Sequence, residues 1–161
     1  MTPAPAPGSN LERFRERMAS RWRPPVAILL GFDLVEIDED RAVIELDAGP
    51  QHANPMGTLH GGILCDIADA AMGIAYASLL APSETFTTVE LKINFLRPVW
   101  TGRLRGEGTL IRRGRTVGLA QCRITNSKGE LVAYATSTCM TIPGAGHDGL
   151  QRPEARGAPP A

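Results

Sequence analysis

The chain has 161 residues, with 17 basic and 17 acidic side chains, 43% apolar residues and 5% aromatics. That length suits one core, since a second would leave roughly 80 residues to each. Zero formal charge excludes the basic groove that neutralises a nucleic-acid backbone, the mixed composition excludes a disordered chain, and neutrality suits a protein that buries surface in an oligomer.

In chain order, residues 1–9 are rich in Pro and Ala without an apolar run, so they read as a disordered tail and not as a secretory signal. Asn10 is expected to cap a helix over Leu11–Arg21, with Leu11, Phe14 and Met18 on one face. Pro24 and Pro25 end it, and Val26–Leu30 reads as a short apolar turn stopping at Gly31. Phe32–Asp38 and Arg41–Ala48 read as two strands with a hairpin-like link at Glu39-Asp40. Residues 49–59 form a polar loop containing Gly and Pro. A long helix over His60–Leu80 follows, closed by Pro82. It is apolar nearly all round, so the rest of the domain should wrap it. Its apolar stretch carries Asp66 and Asp69, two carboxylates that a lipid core would not tolerate, so no membrane span is expected. Four strand-like runs follow, Thr85–Leu96, Arg103–Arg113, Arg115–Thr125 and Leu131–Ile142, the first with Val89, Leu91, Ile93 and Phe95 on one face. Their short links favour antiparallel neighbours. Residues 144–161 read as a second disordered tail. The fold class is therefore α+β: one domain over 10–143, a single antiparallel sheet curled around one helix. Cys65, Cys122 and Cys139 are odd in number and lack metal-type spacing, which points to reduced core thiols in a cytoplasmic protein and to no metal site.

The chemistry concentrates in the segment from His52 to Gly62 and the helix it enters. Gly61 and Gly62 fall in the first helical turn, where each costs about 0.5–1 kcal/mol relative to alanine. Two glycines there offer bare N–H groups at the positive end of a helix, suited to a carbonyl oxygen that gains negative charge. Equally, they could let a neighbouring strand approach closely. Asp66 and Asp69 are the only charges in this helix. Either could be a general base or nucleophile in a water-poor cleft, or could tie down a loop or sit on a solvated edge. Gly61 and Asp69 are eight residues apart, about 12 Å along a helix axis, too far for both to act on one carbonyl. Two such helices packed antiparallel would bring Gly61 of one chain opposite Asp69 of another, so a single site made from these residues lies between subunits. His60 could cap the first turn or position a substrate, and His52 reads as a loop-packing residue. Arg112-Arg113-Gly114-Arg115-Thr116, with Lys92, Arg97 and Arg103, is the densest positive charge in the sequence and would suit a small phosphorylated ligand or be a solvated turn. No Gly-x-Ser-x-Gly elbow, P-loop or dinucleotide glycine pattern is present.

The run Asn54-Pro55-Met56-Gly57-Thr58-Leu59-His60-Gly61-Gly62 resembles the N-x-x-G-x-x-H-G-G motif of hotdog-fold thioesterases of the phenylacetate-pathway (PaaI-like) type. Asp69, nine residues after His60, the run Thr87–Pro98 and the Gly-Arg turn match the same family. The resemblance spans about residues 24–142. It implies hydrolysis of acyl- or aryl-CoA thioesters, sometimes of acyl carrier protein, by a curled sheet around a long helix assembled into homodimers and homotetramers. It implies no cofactor, no nucleic acid and no membrane partner. Carried over, the Gly61 N–H polarises the thioester carbonyl, with Gly62 beside it, and Asn54 helps hold that carbonyl or the attacking water. His60 lies near the thioester, Asp69 of the partner chain is general base or nucleophile, and Thr88 orients the water. Arg113, Gly114 and Arg115 would meet the coenzyme A phosphates. Related enzymes with a Ser or Thr one turn after the acid differ here, where Gly73 stands. Two other readings remain, a non-catalytic acyl-CoA-binding module and a dehydratase or hydratase of 3-hydroxyacyl thioesters.

Overall fold

A computed structural model describes residues 8–144; the two tails expected to be disordered lie almost wholly outside them. The elements run α1 (Asn10–Ala19), α2 (Pro25–Leu30), β1 (Phe32–Asp38), β2 (Arg41–Ala48), a 3-10 turn at Pro50–His52, α3 (Gly61–Ala77), β3 (Glu84–Phe95), β4 (Gly102–Arg113), β5 (Val117–Asn126) and β6 (Leu131–Pro143). The strands form one antiparallel sheet in the order β1-β2-β4-β5-β6-β3. It is the curled sheet around a long helix that the resemblance implies. Among the described residues no helix is long and apolar enough to cross a membrane.

Apolar periodicity places α3 against the concave face. Leu64, Ile67, Ala68, Ala71, Met72 and Ala75 are all buried. The first five pack on Ile44, Leu46, Leu104, Ala120, Ile124 and Ala133 of the sheet, and Ala75 packs with Ile37 and Ala42. Small residues set how near the helix comes. A Cβ on Gly108 of β4 would lie 2.4 Å from the backbone carbonyl of Ala71, so only glycine lets α3 seat there. The helix ends at Ala77, three residues before the expected Leu80, because Ser78 caps it. The Ser78 hydroxyl donates to the Ala75 carbonyl (2.8 Å) and accepts from the Asp40 amide (3.0 Å). One stripe of α3 is left uncovered by its own sheet: Gly62, Cys65, Asp66 and Ala70 are half-buried and Asp69 is exposed.

The N-terminal region departs from expectation in two places. Ser9, not Asn10, is the N-cap of α1, its hydroxyl accepting from the Glu12 amide. Asn10 lies inside the helix, buried, and donates its side-chain amide to the Leu80 carbonyl at 3.1 Å. The expected turn at Val26–Leu30 is instead the short helix α2, opened by Pro25 and closed by Gly31 in the left-handed region (φ 77°), the proline-in, glycine-out pattern of helix ends.

The third departure lies in β3. Strict alternation would put Val89 on the core face with Leu91 and Ile93, but Val89 is 60% exposed. Thr88 pairs with Cys139 and Glu90 with Thr138, so Val89 is the extra residue of a β-bulge. An inserted residue reverses which side chains face the core. Beyond the bulge Leu91 and Ile93 pack on the core; before it, Phe86 and Thr88 turn toward α3.

Candidate active site

The loop from Gly49 to His60 is held by its own polar side chains. The buried His52 accepts the Gly49 amide at Nδ1 (3.1 Å) and its Nε2 lies 2.9 Å from the Leu30 carbonyl, the loop-packing role its sequence context suggests. Asn54 Oδ1 accepts from the amides of Met56 (2.9 Å) and Thr58 (3.3 Å), and its amide donates to the Thr58 hydroxyl (2.9 Å). Asn54 thus shapes the turn that delivers the chain to α3. Amides of Leu59 and His60 donate to the carbonyls of Val99 and His52 at 2.7 and 2.9 Å, which fixes where the helix starts.

At that start, His60 is the N-cap. Its Nδ1 accepts the Gly62 amide at 2.9 Å. An amide can only donate, so Nδ1 accepts here and the ring holds its hydrogen on Nε2. The Gly62 N–H is therefore committed, whereas the Gly61 N–H has no partner among the hydrogen bonds of the described residues. The glycines also serve close packing: a Cβ on Gly61 would come within 2.9 Å of the Phe95 ring, and one on Gly62 within 2.9 Å of His60 Nδ1. The close approach of a neighbouring strand is therefore seen at Gly61, against Phe95 of β3, whereas at Gly62 the space is taken by the capping His60 ring.

Two turns along α3, Asp69 Oδ1 accepts the Thr88 hydroxyl at 2.9 Å. The β3 bulge makes this contact, and no periodicity in the sequence announces it. Asp66 lines the same cavity as Asp69; partial burial, reinforced by the neighbouring Asp69 charge, raises its pKa above the ordinary aspartate value. The thiols are poor nucleophiles. Burial, aided by Glu107, pushes Cys122 up to about 12, and burial raises Cys65 and Cys139 as well.

The structure brings His60, Gly61 and Gly62 together at one point and Asp69 with Thr88 at another, but it does not gather the arginines. Arg113 donates to the Leu79 carbonyl and to Glu84 at 3.5 Å, at the C-terminal end of α3. Arg103 pairs with Asp47 (3.1 Å) at the other end of β4, about 33 Å away at 3.3 Å per residue, and Arg97 faces Glu130 at 4.0 Å. The single basic patch expected from the sequence is therefore corrected: Arg97 and Arg103 stand apart in ion pairs of their own, and only Arg112, Arg113 and Arg115 stay together, at the β4–β5 turn. Gly114 closes the β4–β5 turn by donating to the Val117 carbonyl at 2.9 Å, and Arg115 is exposed.

What sequence reasoning missed is the cavity beside Asp69. About 780 Å³ in volume, it lies between α1, α2, β1 and α3. Phe14 and Met18 were legible as one face of a helix, but nothing in their spacing said which space they wall.

Comparison with known proteins agrees with this fold. Residues 56–133 match the sequence model of the thioesterase superfamily. A phenylacetic acid degradation-related protein of Ralstonia eutropha is 32% identical, with a TM-score of 0.71 over 79% of this chain and 98% of that one. The PaaI protein of the Escherichia coli phenylacetic acid degradation operon is 26% identical, with a TM-score of 0.75 over 84% and 98%. The medium/long-chain acyl-CoA thioesterase YigI of Escherichia coli is 26% identical over 74% of this chain and 86% of its own. With the fold, the helix-end glycines and these relatives in agreement, the chain belongs to the thioesterase superfamily and is a thioester hydrolase of the hotdog fold.

Proposed function

We propose that the chain hydrolyses acyl- or aryl-CoA thioesters to the free acid and coenzyme A, at a site shared by two subunits of a cytoplasmic homodimer that pairs into a homotetramer. The observation that carries this reading is the separation of two half-sites on one helix. The unpartnered Gly61 N–H and the Asp69–Thr88 pair are about 12 Å apart along α3. The uncovered stripe of α3 and the edge position of β3 leave room for a second copy to close the gap with its own helix.

In this reading the thioester oxygen lies at the Gly61 N–H, where the helix end stabilises charge as the carbonyl becomes tetrahedral. His60 contributes a neutral Nε2–H beside it, and Asn54 keeps the loop in register. Asp69 of the other chain either takes a proton from water, whose oxygen bonds to the carbonyl carbon, or attacks that carbon itself; Thr88 holds its carboxylate in place. When water attacks, the C–S bond then breaks and the thiolate leaves with the proton that Asp69 took; when Asp69 attacks, C–S cleavage leaves a mixed anhydride on Asp69, which water hydrolyses to the free acid while its proton goes to the thiolate. Arg115, with Arg113 and Gly114, is assigned to the coenzyme A phosphates, which it meets from the C-terminal end of α3. YigI is named for medium- and long-chain acyl-CoA, which supports an acyl-CoA substrate.

The test is thiol release followed with a chromogenic disulfide, across short, medium, long and aryl CoA thioesters. Turnover of at least one class is expected. Binding of every class without thiol release would leave a non-catalytic acyl-CoA module, and loss of enoyl absorbance without thiol release would mark a hydratase.

A further inference from the structure

The cavity beside Asp69 has walls from a part of the chain that the family match, residues 56–133, does not include. Phe14 and Met18 of α1, Trp22 after it and Val26 of α2 stand on one side; Ile74 and Phe86 stand on the other, and Asp69 opens into the same space. The wall is built to stay in place. Leu11 is buried and packs with Ile37, Ala42 and Ala75, Asn10 is tied to Leu80 at 3.1 Å, and Arg15 pairs with Asp38 at 3.0 Å.

The end of α1 is more specific still. The Trp22 amide donates to the Arg17 carbonyl (3.0 Å) and the Arg21 amide to Met18 (3.0 Å), a Schellman closure. It requires Arg21 at φ 55°, a conformation that a non-glycine residue adopts at a cost. The result is that the chain doubles back. Trp22 is held against the Arg17 guanidinium, 4.6 Å from its ring, and borders the cavity. A simple link between α1 and α2 would not need the strained residue or an exposed tryptophan.

We propose that the segment from Phe14 to Val26 is the specificity-determining wall of the acyl site: the hydrocarbon part of the thioester lies between this wall and α3, with its carbonyl end toward Asp69. The proposal rests on the thioesterase reading and names its substrate class, medium- to long-chain or bulky apolar acyl groups. A volume near 780 Å³ lies within the range of about 300–1,000 Å³ that buries a drug-sized ligand. An acetyl group would leave most of it to water. Each further buried methylene is worth about fourfold in affinity, so kcat/KM rises along the acyl series until the cavity is full.

The experiment measures kcat/KM for acetyl-, butanoyl-, octanoyl- and dodecanoyl-CoA with the wild type and with Val26→Trp. Val26 lines the cavity and is 46% exposed, so a larger ring there takes up cavity space without displacing core. The ratio of dodecanoyl- to acetyl-CoA turnover is expected to fall about tenfold or more in the variant, the scale on which a pocket wall discriminates by size. A second readout does not need hydrolysis. The chain has two tryptophans, so Trp100→Phe leaves Trp22 as the only one. Titration with the unreactive thioether S-dodecyl-CoA should shift Trp22 emission to the blue and saturate. A chain-length profile that is flat, or that Val26→Trp lowers by the same factor at every length, overturns the proposal; so does Trp22 emission that bound S-dodecyl-CoA leaves unmoved. If no thioester is hydrolysed, the reading of the reaction falls, and the Trp22 shift still judges the cavity.

Discussion

Asp69 is exposed in the single chain, so the role proposed for it rests on what it touches and not on burial. Asp69→Asn keeps the size and the Thr88 contact but removes the base. Thiol release should show kcat falling by about 10²–10⁴, the usual worth of a positioned base, with KM little changed; a kcat within a few-fold of wild type would remove Asp69 from the reaction. Oxygen-18 water in a single turnover then separates the two roles: a water-derived label in the first acid released marks a base, and unlabelled acid marks direct attack. Asp66 differs. Its pKa is raised by burial and by Asp69, so the folded state holds this proton more tightly than the unfolded chain does. Stability is then lost as pH rises from the ordinary aspartate value through the raised one. Asp66→Asn should raise the melting temperature by a few degrees at pH 7 and have little effect near pH 3. Thermal scans across that range check it, and a gain that is the same at both ends would contradict it.

At the scale of elements, the bulge in β3 decides whether the acid has its partner. Thr88→Val removes the hydroxyl that donates to Asp69. A hydrogen bond to a charged group is worth about 1.5–3 kcal/mol, so kcat should fall about 10- to 100-fold, with Thr88→Ser close to wild type. The α1 closure carries its own prediction. Arg21→Gly relieves the left-handed strain at φ 55° and should stabilise the fold by about 0.5–1 kcal/mol, read from urea melts. These elements also show what a sequence can say. All six strands and α3 were legible because the apolar periods of two and 3.6 are strong. Ser9 was passed over because its neighbour Asn10 is an equally good cap by type, and only Asn10's bond to Leu80 decides between them. The bulge was invisible because one extra residue leaves composition untouched while reversing every face before it.

For the whole molecule, motif and spacing carried the proposed site further than composition could. The motif run pointed to Gly61, the acid nine residues after His60 pointed to Asp69, and helical geometry separates the two, but nothing in the linear pattern placed α1 over the same space as Asp69. The convex side of β1, β2 and β4 is laced with charge, Glu36 lying between Arg41 (2.9 Å) and Arg105 (2.6 Å), whereas the stripe of α3 with Asp69 stays open. That asymmetry is what a second copy would complete. Mixing two inactive variants tests it most directly. One chain carries Asp69→Asn. The other carries Gly61→Pro, which removes the N–H at a helix position that accepts proline, after a residue already extended at ψ 131°. Co-refolded at equal amounts, half the dimers are mixed and half of their sites have both groups intact, so about a quarter of wild-type thiol release should return. If the mixture stays as inactive as either variant alone although mixed dimers form, each site is built from one chain and the shared-site account is wrong.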